Sequence, residues 1–292
     1  MHAPHLTEIH IYPVKSLRGE CPRSATVEPW GLAGDRRWLI TDPTGAMLTQ
    51  REIIAMARLQ ARPSGPAASN AITVTAPHHP PLHLPPPPAT SPNRQVTIWR
   101  DTVPALDAGD EPAAWLSTAL GTQCRLVHLA DPRARPINPD YASPGQAVSF
   151  ADGYPLLLTT EASFADLNTR LATPISMSRF RPNLVIHGTP AWSEDTWRRI
   201  RIGAAIFRVA KPCDRCIITT IDPATATRPN PVEPIRTLGT FRRDRRGGVM
   251  FGQNLIPEHC ADIHVSDFLE VLEAGEPNVQ LGTAADRRRH NH

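Results

Sequence analysis

The sequence predicts a mainly β, α+β chain, built from β-barrel-like bodies with a few peripheral helices. Three observations carry this expectation. Short β-branched segments recur along the chain, separated by glycine or proline. The 292 residues include 32 prolines, and each internal proline would remove a backbone donor and clash with the preceding turn of a long helix. Helical periodicity is confined to two short segments. The length fits one large or two medium domains, and a hydrophobic fraction of 40% is enough for a real core.

The first strand is expected within Leu6–Val14, where apolar and polar residues alternate. Arg37–Thr41 reads as a second strand, Asp42-Pro-Thr-Gly45 as a turn, and Met47–Thr49 as the returning strand of a hairpin. Ala71–Thr75 and Gln95–Trp99 repeat the strand pattern, with Pro77–Pro92 between them as an extended, proline-rich loop. A helix is expected over Asp110–Gly121, from an acidic first turn to a closing glycine, followed by a strand at Cys124–Leu129. Thr160–Leu171 has the stronger helical signature: a threonine cap, an early glutamate, and Phe164, Leu167 and Leu171 on one face. Further strands are expected at Asn183–Ile186, Ala205–Val209, Cys216–Ile221 and Asp262–Val265, and residues 273–292 as a disordered tail.

Charge and cysteine usage narrow the function. A formal net charge of +3 is too mild to imply nucleic acid, and suits a small anionic ligand held by a few placed cations. The basic run Arg242-Arg-Asp-Arg-Arg-Gly lacks the interleaved aromatics that stack bases, so no nucleic acid partner is expected. Five scattered cysteines make no disulfide framework. The opening residues lack the pattern of a signal peptide, and no run approaches the roughly 18 apolar residues of a membrane span. The expected setting is cytoplasmic.

The strongest local signal is Lys211-Pro-Cys-Asp-Arg-Cys-Ile-Ile-Thr-Thr-Ile-Asp-Pro223. Its Cys-x-x-Cys pair is open to several readings: a redox dithiol, half of a zinc site, a thiolate ligand to another metal, or two inert buried thiols. Zinc lacks a second ligand pair of comparable spacing, since only His259-Cys260 comes near. A dithiol motif would open a helix, whereas an apolar β-type run follows here. Arg215 beside Cys216, with Lys211 nearby, favours the thiolate. Cationic groups also gather at strand ends: Lys15 and Ser16 in Tyr12–Ser16, Arg36 in Gly34–Trp38, and Arg179 and Arg181 in Arg179–Asn183. Guanidinium forks suit phosphate geometry.

The ordered set of strings carries a resemblance. Ile11–Ser16, Gly34–Trp38 and Leu48-Thr-Gln-Arg-Glu52 resemble the N-terminal β-barrel that accompanies MOSC domains. Arg179–Asn183, Glu194–Trp197, Ile202-Gly203, Cys213–Pro223 and Phe251–Asn254 resemble the MOSC domain itself, in the branch that includes the mitochondrial amidoxime-reducing component. The resemblance implies a MOSC N-terminal domain over 1–125, a MOSC domain over 126–272, and a pterin-type molybdenum cofactor between them. It implies Cys216 as the molybdenum ligand and catalytic cysteine, with Cys213 its less essential neighbour. Lys15, Ser16, Arg36, Arg181 and Asn183 match cofactor-holding positions; Thr220 is a further cofactor-side group and Asp222 a catalytic one. At the level of the whole family, pyridoxal phosphate binding is also associated.

The activity so implied is reduction of N-hydroxylated substrates such as amidoximes and hydroxylamines. The chain lacks the grouped cysteines of an iron–sulfur cluster, so a separate electron-transfer protein is the expected donor. The alternative is a sulfur carrier or cofactor-sulfurating protein with a persulfide on Cys216.

Overall fold

A computed structural model describes residues 3–65 and 69–282. Most of its regular structure is strand. The N-terminal part contributes β1 (His5–Ile9), β2 (Ser24–Glu28), β3 (Gly31–Leu32), β4 (Trp38–Thr41), β5 (Gln60–Pro63), β6 (Ile72–Thr75), β7 (Leu82–Leu84), β8 (Asn93–Ile98), β9 (Asp101–Asp107), α1 (Asp110–Leu120) and β10 (Arg125–His128). The rest contributes β11 (Leu156–Thr160), α2 (Glu161–Arg170), β12 (Leu184–His187), β13 (Trp197–Ile202), β14 (Ala205–Asp214), α3 (Ile235–Phe241), β15 (Met250–His259), β16 (Asp262–His264) and β17 (Leu269–Ala274).

The largest sheet has seven strands in the order β1-β12-β11-β15-β14-β13-β17. Its one parallel pair is β11 with β12, and α2 makes the crossover between them. The Thr160 side chain caps α2, accepting from the Ser163 amide at 3.2 Å as the threonine signature requires. A core that includes Leu6, Ile9, Trp197 and Phe207 packs on this sheet. A second body holds the four-stranded sheet β4-β10-β9-β8 and the three-stranded sheet β5-β6-β7, with Trp38, Met56 and Leu116 among its fully buried residues.

Strand pairing crosses the expected boundary at 125/126. β1 pairs with β12, and β2 pairs with β16, so the first N-terminal strands complete the C-terminal sheets. β10 returns the other way, pairing with β4 and β9. Alternation reveals that a segment is a strand but not which partner its buried face selects.

Several local expectations need correction. Met47–Thr49 makes only an isolated bridge, Thr41 to Met47. The proline-rich stretch contains β7, which pairs with β6 because Leu82 and Leu84 alternate with His83 toward the core. Cys216–Ile221 is no strand: Ile217–Thr220 forms a 3₁₀ turn with Cys216 at its N-cap. Residues 273–282 are built into the fold, with Val279 buried and Asn278 paired to Gln253 at 2.9 Å; the remainder of the expected tail lies outside the described residues. Arg242, from the basic run, is buried and grips Asp195 with two hydrogen bonds of 2.7 and 2.9 Å, so it is a core strut and not a surface cation. No helix of the described residues is long and apolar enough to cross a membrane.

Candidate functional site

Loops at strand ends from both halves of the sequence converge on one cleft. Lys15 and Ser16 follow Val14, whose bridge to Trp38 fixes them beside β4. Arg36 stands in the turn before β4. Arg181 ends the 3₁₀ turn Met177–Phe180 and leads through Asn183 into β12. Cys213 lies on the last stretch of β14, and Cys216 follows two residues after that strand ends.

Three residues of strained backbone meet at this cleft. Ser16, Arg36 and Arg181 have φ of 67°, 48° and 54°, the left-handed region that non-glycine residues rarely occupy. All three line the same cavity. Such strain persists where surrounding structure over-determines it, and it clusters at ligand sites.

Side-chain packing explains how cations are held together. The Arg36 and Arg181 guanidinium carbons lie 4.4 and 4.2 Å from the Tyr12 ring centroid, so one electron-rich ring serves both. Arg36 is tied further by Nη1, which donates to Asp35 Oδ2 at 2.6 Å and to Asn183 Oδ1 at 2.9 Å. Asn183 also accepts from the Leu157 amide and donates to the His10 carbonyl, so its amide is consumed in positioning. Arg181 is more exceptional: its Nη2 is buried and meets no partner among the described residues. Burial lowers the Arg181 pKa to about 10, with the Arg36 charge assisting, so the guanidinium remains charged at neutral pH. Lys15 Nζ donates to Asp152 Oδ1 at 2.5 Å, and burial brings the Lys15 pKa down to about 8 even though Asp152 opposes the shift.

Two groups here, Arg51 and Asp152, were not singled out from the sequence, and a third, Arg215, takes a different partner from the one expected. Arg51 Nη2 donates to Cys216 Sγ at 3.0 Å and its guanidinium lies 4.4 Å from the Trp99 ring centroid. Arg215, expected to favour the Cys216 thiolate, instead donates to Cys213 Sγ at 3.0 Å and to the Phe180 carbonyl at 2.7 Å. The Cys213 thiol is pushed up by burial, against the opposing pull of Arg215. Asp152 is the acidic counterweight of Lys15. The signal for Arg51 was its place in Leu48-Thr-Gln-Arg-Glu52; Asp152 had none beyond a turn-forming Asp-Gly pair.

Lys15, Ser16, Arg36, Arg181, Asn183 and Cys216 therefore come together, but Thr220 and Asp222 do not line the cleft. The Thr220 hydroxyl is buried and donates to the Ile217 carbonyl at 2.7 Å, closing the 3₁₀ turn. Asp222 lies 3.7 Å from Arg179 and accepts from the Ala224 amide at 2.9 Å. Both act on the shape of the segment after Cys216.

The cleft wall carries Lys15, Arg36, Arg51, Arg181 and Arg215 against the single carboxylate of Asp152. That excess selects an anion. Two thiols on the same wall add soft donors. Orphaned guanidinium donors beside thiols fit a ligand that carries both a phosphate and a thiophilic metal.

Fold and cleft together define a paired β-barrel protein whose cationic cleft is also lined by two cysteine thiols. Residues 3–123 match the MOSC N-terminal beta barrel domain, and residues 145–284 match the MOSC domain. The chain is 32% identical over 284 residues to mitochondrial amidoxime-reducing component 1 of Homo sapiens, covering 91% of this chain and 82% of that protein. The Mus musculus counterpart is 33% identical over 285 residues, with the same coverage. Molybdenum cofactor sulfurase of Oryza sativa is 29% identical over 276 residues, covering 85% of this chain but 32% of the larger protein. The chain belongs to the MOSC-domain family.

Proposed function

We propose that the cleft binds a pterin-type molybdenum cofactor with Cys216 as its protein ligand, and that the protein is an oxidoreductase for N-hydroxylated substrates. The observation that carries this reading is the placement of the Cys216 thiol, gripped by Arg51, in a cleft whose buried Arg181 has an unused donor. The relatives named for amidoxime reduction support it. When bound, the cofactor supplies a metal that cycles through a two-electron redox change.

The chain's own residues bind and orient. Arg181 and Arg36, stacked on Tyr12, are the phosphate donors, with Lys15 as a point charge whose reach Asp152 restrains. Asn183 fixes Arg36 and does not itself bind. Cys216, at a turn closed by the Thr219 and Thr220 hydroxyls, gives the sulfur a fixed position. Overall, two electrons and two protons convert an N-hydroxy group to N–H and water. The electrons come from a separate carrier protein. All five cysteines are unpaired, in keeping with a reducing compartment such as the cytoplasm.

The match to a molybdenum cofactor sulfurase favours a second reading, a sulfur carrier with a persulfide on Cys216. Protein made in a cofactor-competent host separates the two. Stoichiometric molybdenum and pterin, with benzamidoxime reduced to benzamidine by a chemical reductant, are expected. Metal-free protein carrying a Cys216 persulfide would overturn the reading in favour of the second.

A further inference from the structure

Close to Tyr12 lies a cluster that the proposed function does not use. Glu8 and His10 are two residues apart along the first strand and its continuation, so period-two alternation sends both side chains to the same face. The chain returns antiparallel alongside them. Ile11 and Glu20 exchange both backbone hydrogen bonds, at 3.0 and 2.9 Å. That register sets Cys21 directly across from His10, in the closer kind of cross-strand pair. The result is a carboxylate, an imidazole nitrogen and a thiol whose ligand atoms all lie within 4.8 Å of one another.

We propose that Glu8, His10 and Cys21 form a three-ligand site for a zinc-type divalent cation, distinct from Cys216. A tetrahedral zinc ion with bonds of about 2.0–2.1 Å to N and O and 2.3 Å to S needs ligand separations of about 3.3–3.6 Å. The His10 Nε2 to Glu8 Oε2 separation is 2.6 Å, so a small outward rotation of the exposed Glu8 side chain opens the gap. One soft, one borderline and one hard donor match zinc better than magnesium or calcium, which take oxygen. Thiolate and carboxylate together balance the ion's two positive charges.

His10 and Cys21 line an open groove, which leaves the fourth position to an occupant of that groove. Arg18, Arg62 and Arg181 line this groove, so its occupant is water or a small anion. Arg181 also lines the cationic cleft, and the His10 ring stacks near Tyr12 with centroids 6.2 Å apart and planes inclined by 15°. A metal bound to His10 would thus stand beside the ring on which Arg36 and Arg181 rest.

The test uses the full chain with Cys213→Ser and Cys216→Ser in place, which silences the thiols of the cleft. Cobalt(II) is the spectroscopic probe and zinc the competitor. One equivalent of cobalt is expected, with a thiolate-to-cobalt charge-transfer band that zinc abolishes. Cys21→Ser, at an exposed position, should remove the band and weaken zinc binding by about 100-fold or more, and His10→Ala should act alike. Cys260→Ser, in the same background, should leave both readouts unchanged. A band that survives Cys21→Ser, or the absence of any band in the folded parent, would overturn the proposal.

Discussion

Arg51 and Cys216 stand 165 positions apart in sequence, yet Arg51 Nη2 lies 3.0 Å from Cys216 Sγ. The contact joins the N-terminal barrel to the cysteine segment across the cleft. A hydrogen bond to a charged partner contributes about 1.5–3 kcal/mol. Arg51→Met should therefore weaken cofactor retention by about 10-fold to 100-fold, at about 1.4 kcal/mol per tenfold change. Dialysis of loaded protein followed by molybdenum analysis checks this; a melting temperature close to that of the parent shows the loss is local.

Arg181 is held at a cost to stability. It is a buried charge in left-handed backbone, with Arg36 as a like-charged neighbour and one donor unpaired. Arg181→Met keeps the contact with Tyr12 and removes the charge. The ligand-free variant should melt higher than the parent, while sulfate, used as a simple anion probe, binds more weakly. Calorimetry of unfolding and of sulfate titration reads both signs.

Lys15 makes anion binding depend on pH. Its pKa of about 8 means the ammonium is present below that value and lost as pH rises through it. Sulfate stays a dianion over this range, so its affinity should fall between about pH 7 and 9. Asp152→Asn removes the charge that holds the proton on Lys15. The fall should then move toward lower pH, and affinity on its acid side should rise, as titrations across pH would show.

Much of this cleft is legible in the sequence because Lys15, Ser16, Arg36, Arg181 and Asn183 sit in short strings whose positions the fold reproduces. The α2 helix was legible too, since its Thr160 cap is a local device. What stayed hidden is long-range. Arg51 and Asp152 gain meaning only when loops from distant parts of the chain meet. Ile217–Thr220 misled for a different reason. Its β-branched run reads as a strand, but the Thr219 and Thr220 hydroxyls bond back to the carbonyls of Cys216 and Ile217 and stabilise a tight turn instead. The exchange of β1 and β2 into the C-terminal sheets was illegible because alternation carries no partner label.

His128 sets a separate pH dependence, on stability. It is buried, neither ring nitrogen has a partner among the described residues, and its ring lies 4.7 Å from that of Trp38. Burial, then the Arg37 charge, lowers its pKa to about 4. Between about pH 6.5 and 4 the unfolded chain binds a proton that the folded chain excludes, so stability is lost as pH falls through this window. The loss is on the order of 3 kcal/mol at its acid end. His128→Phe keeps an aromatic contact with Trp38 and should flatten the slope of melting temperature against pH over that interval.

In the proposed function Cys216, and not Cys213, provides the protein sulfur to molybdenum. Both thiols line the cleft, but each has its own arginine: Arg51 for Cys216 and Arg215 for Cys213. The most direct measurement is the metal–sulfur count from X-ray absorption of the loaded Cys216→Ser and Cys213→Ser variants beside the parent. Serine replaces a soft thiolate with a hard hydroxyl at either position. The expected result is one sulfur fewer in Cys216→Ser, with reduction of an N-hydroxylated substrate abolished, and an unchanged count with most activity retained in Cys213→Ser. An unchanged count in Cys216→Ser, or a lost sulfur in Cys213→Ser, would contradict the assignment.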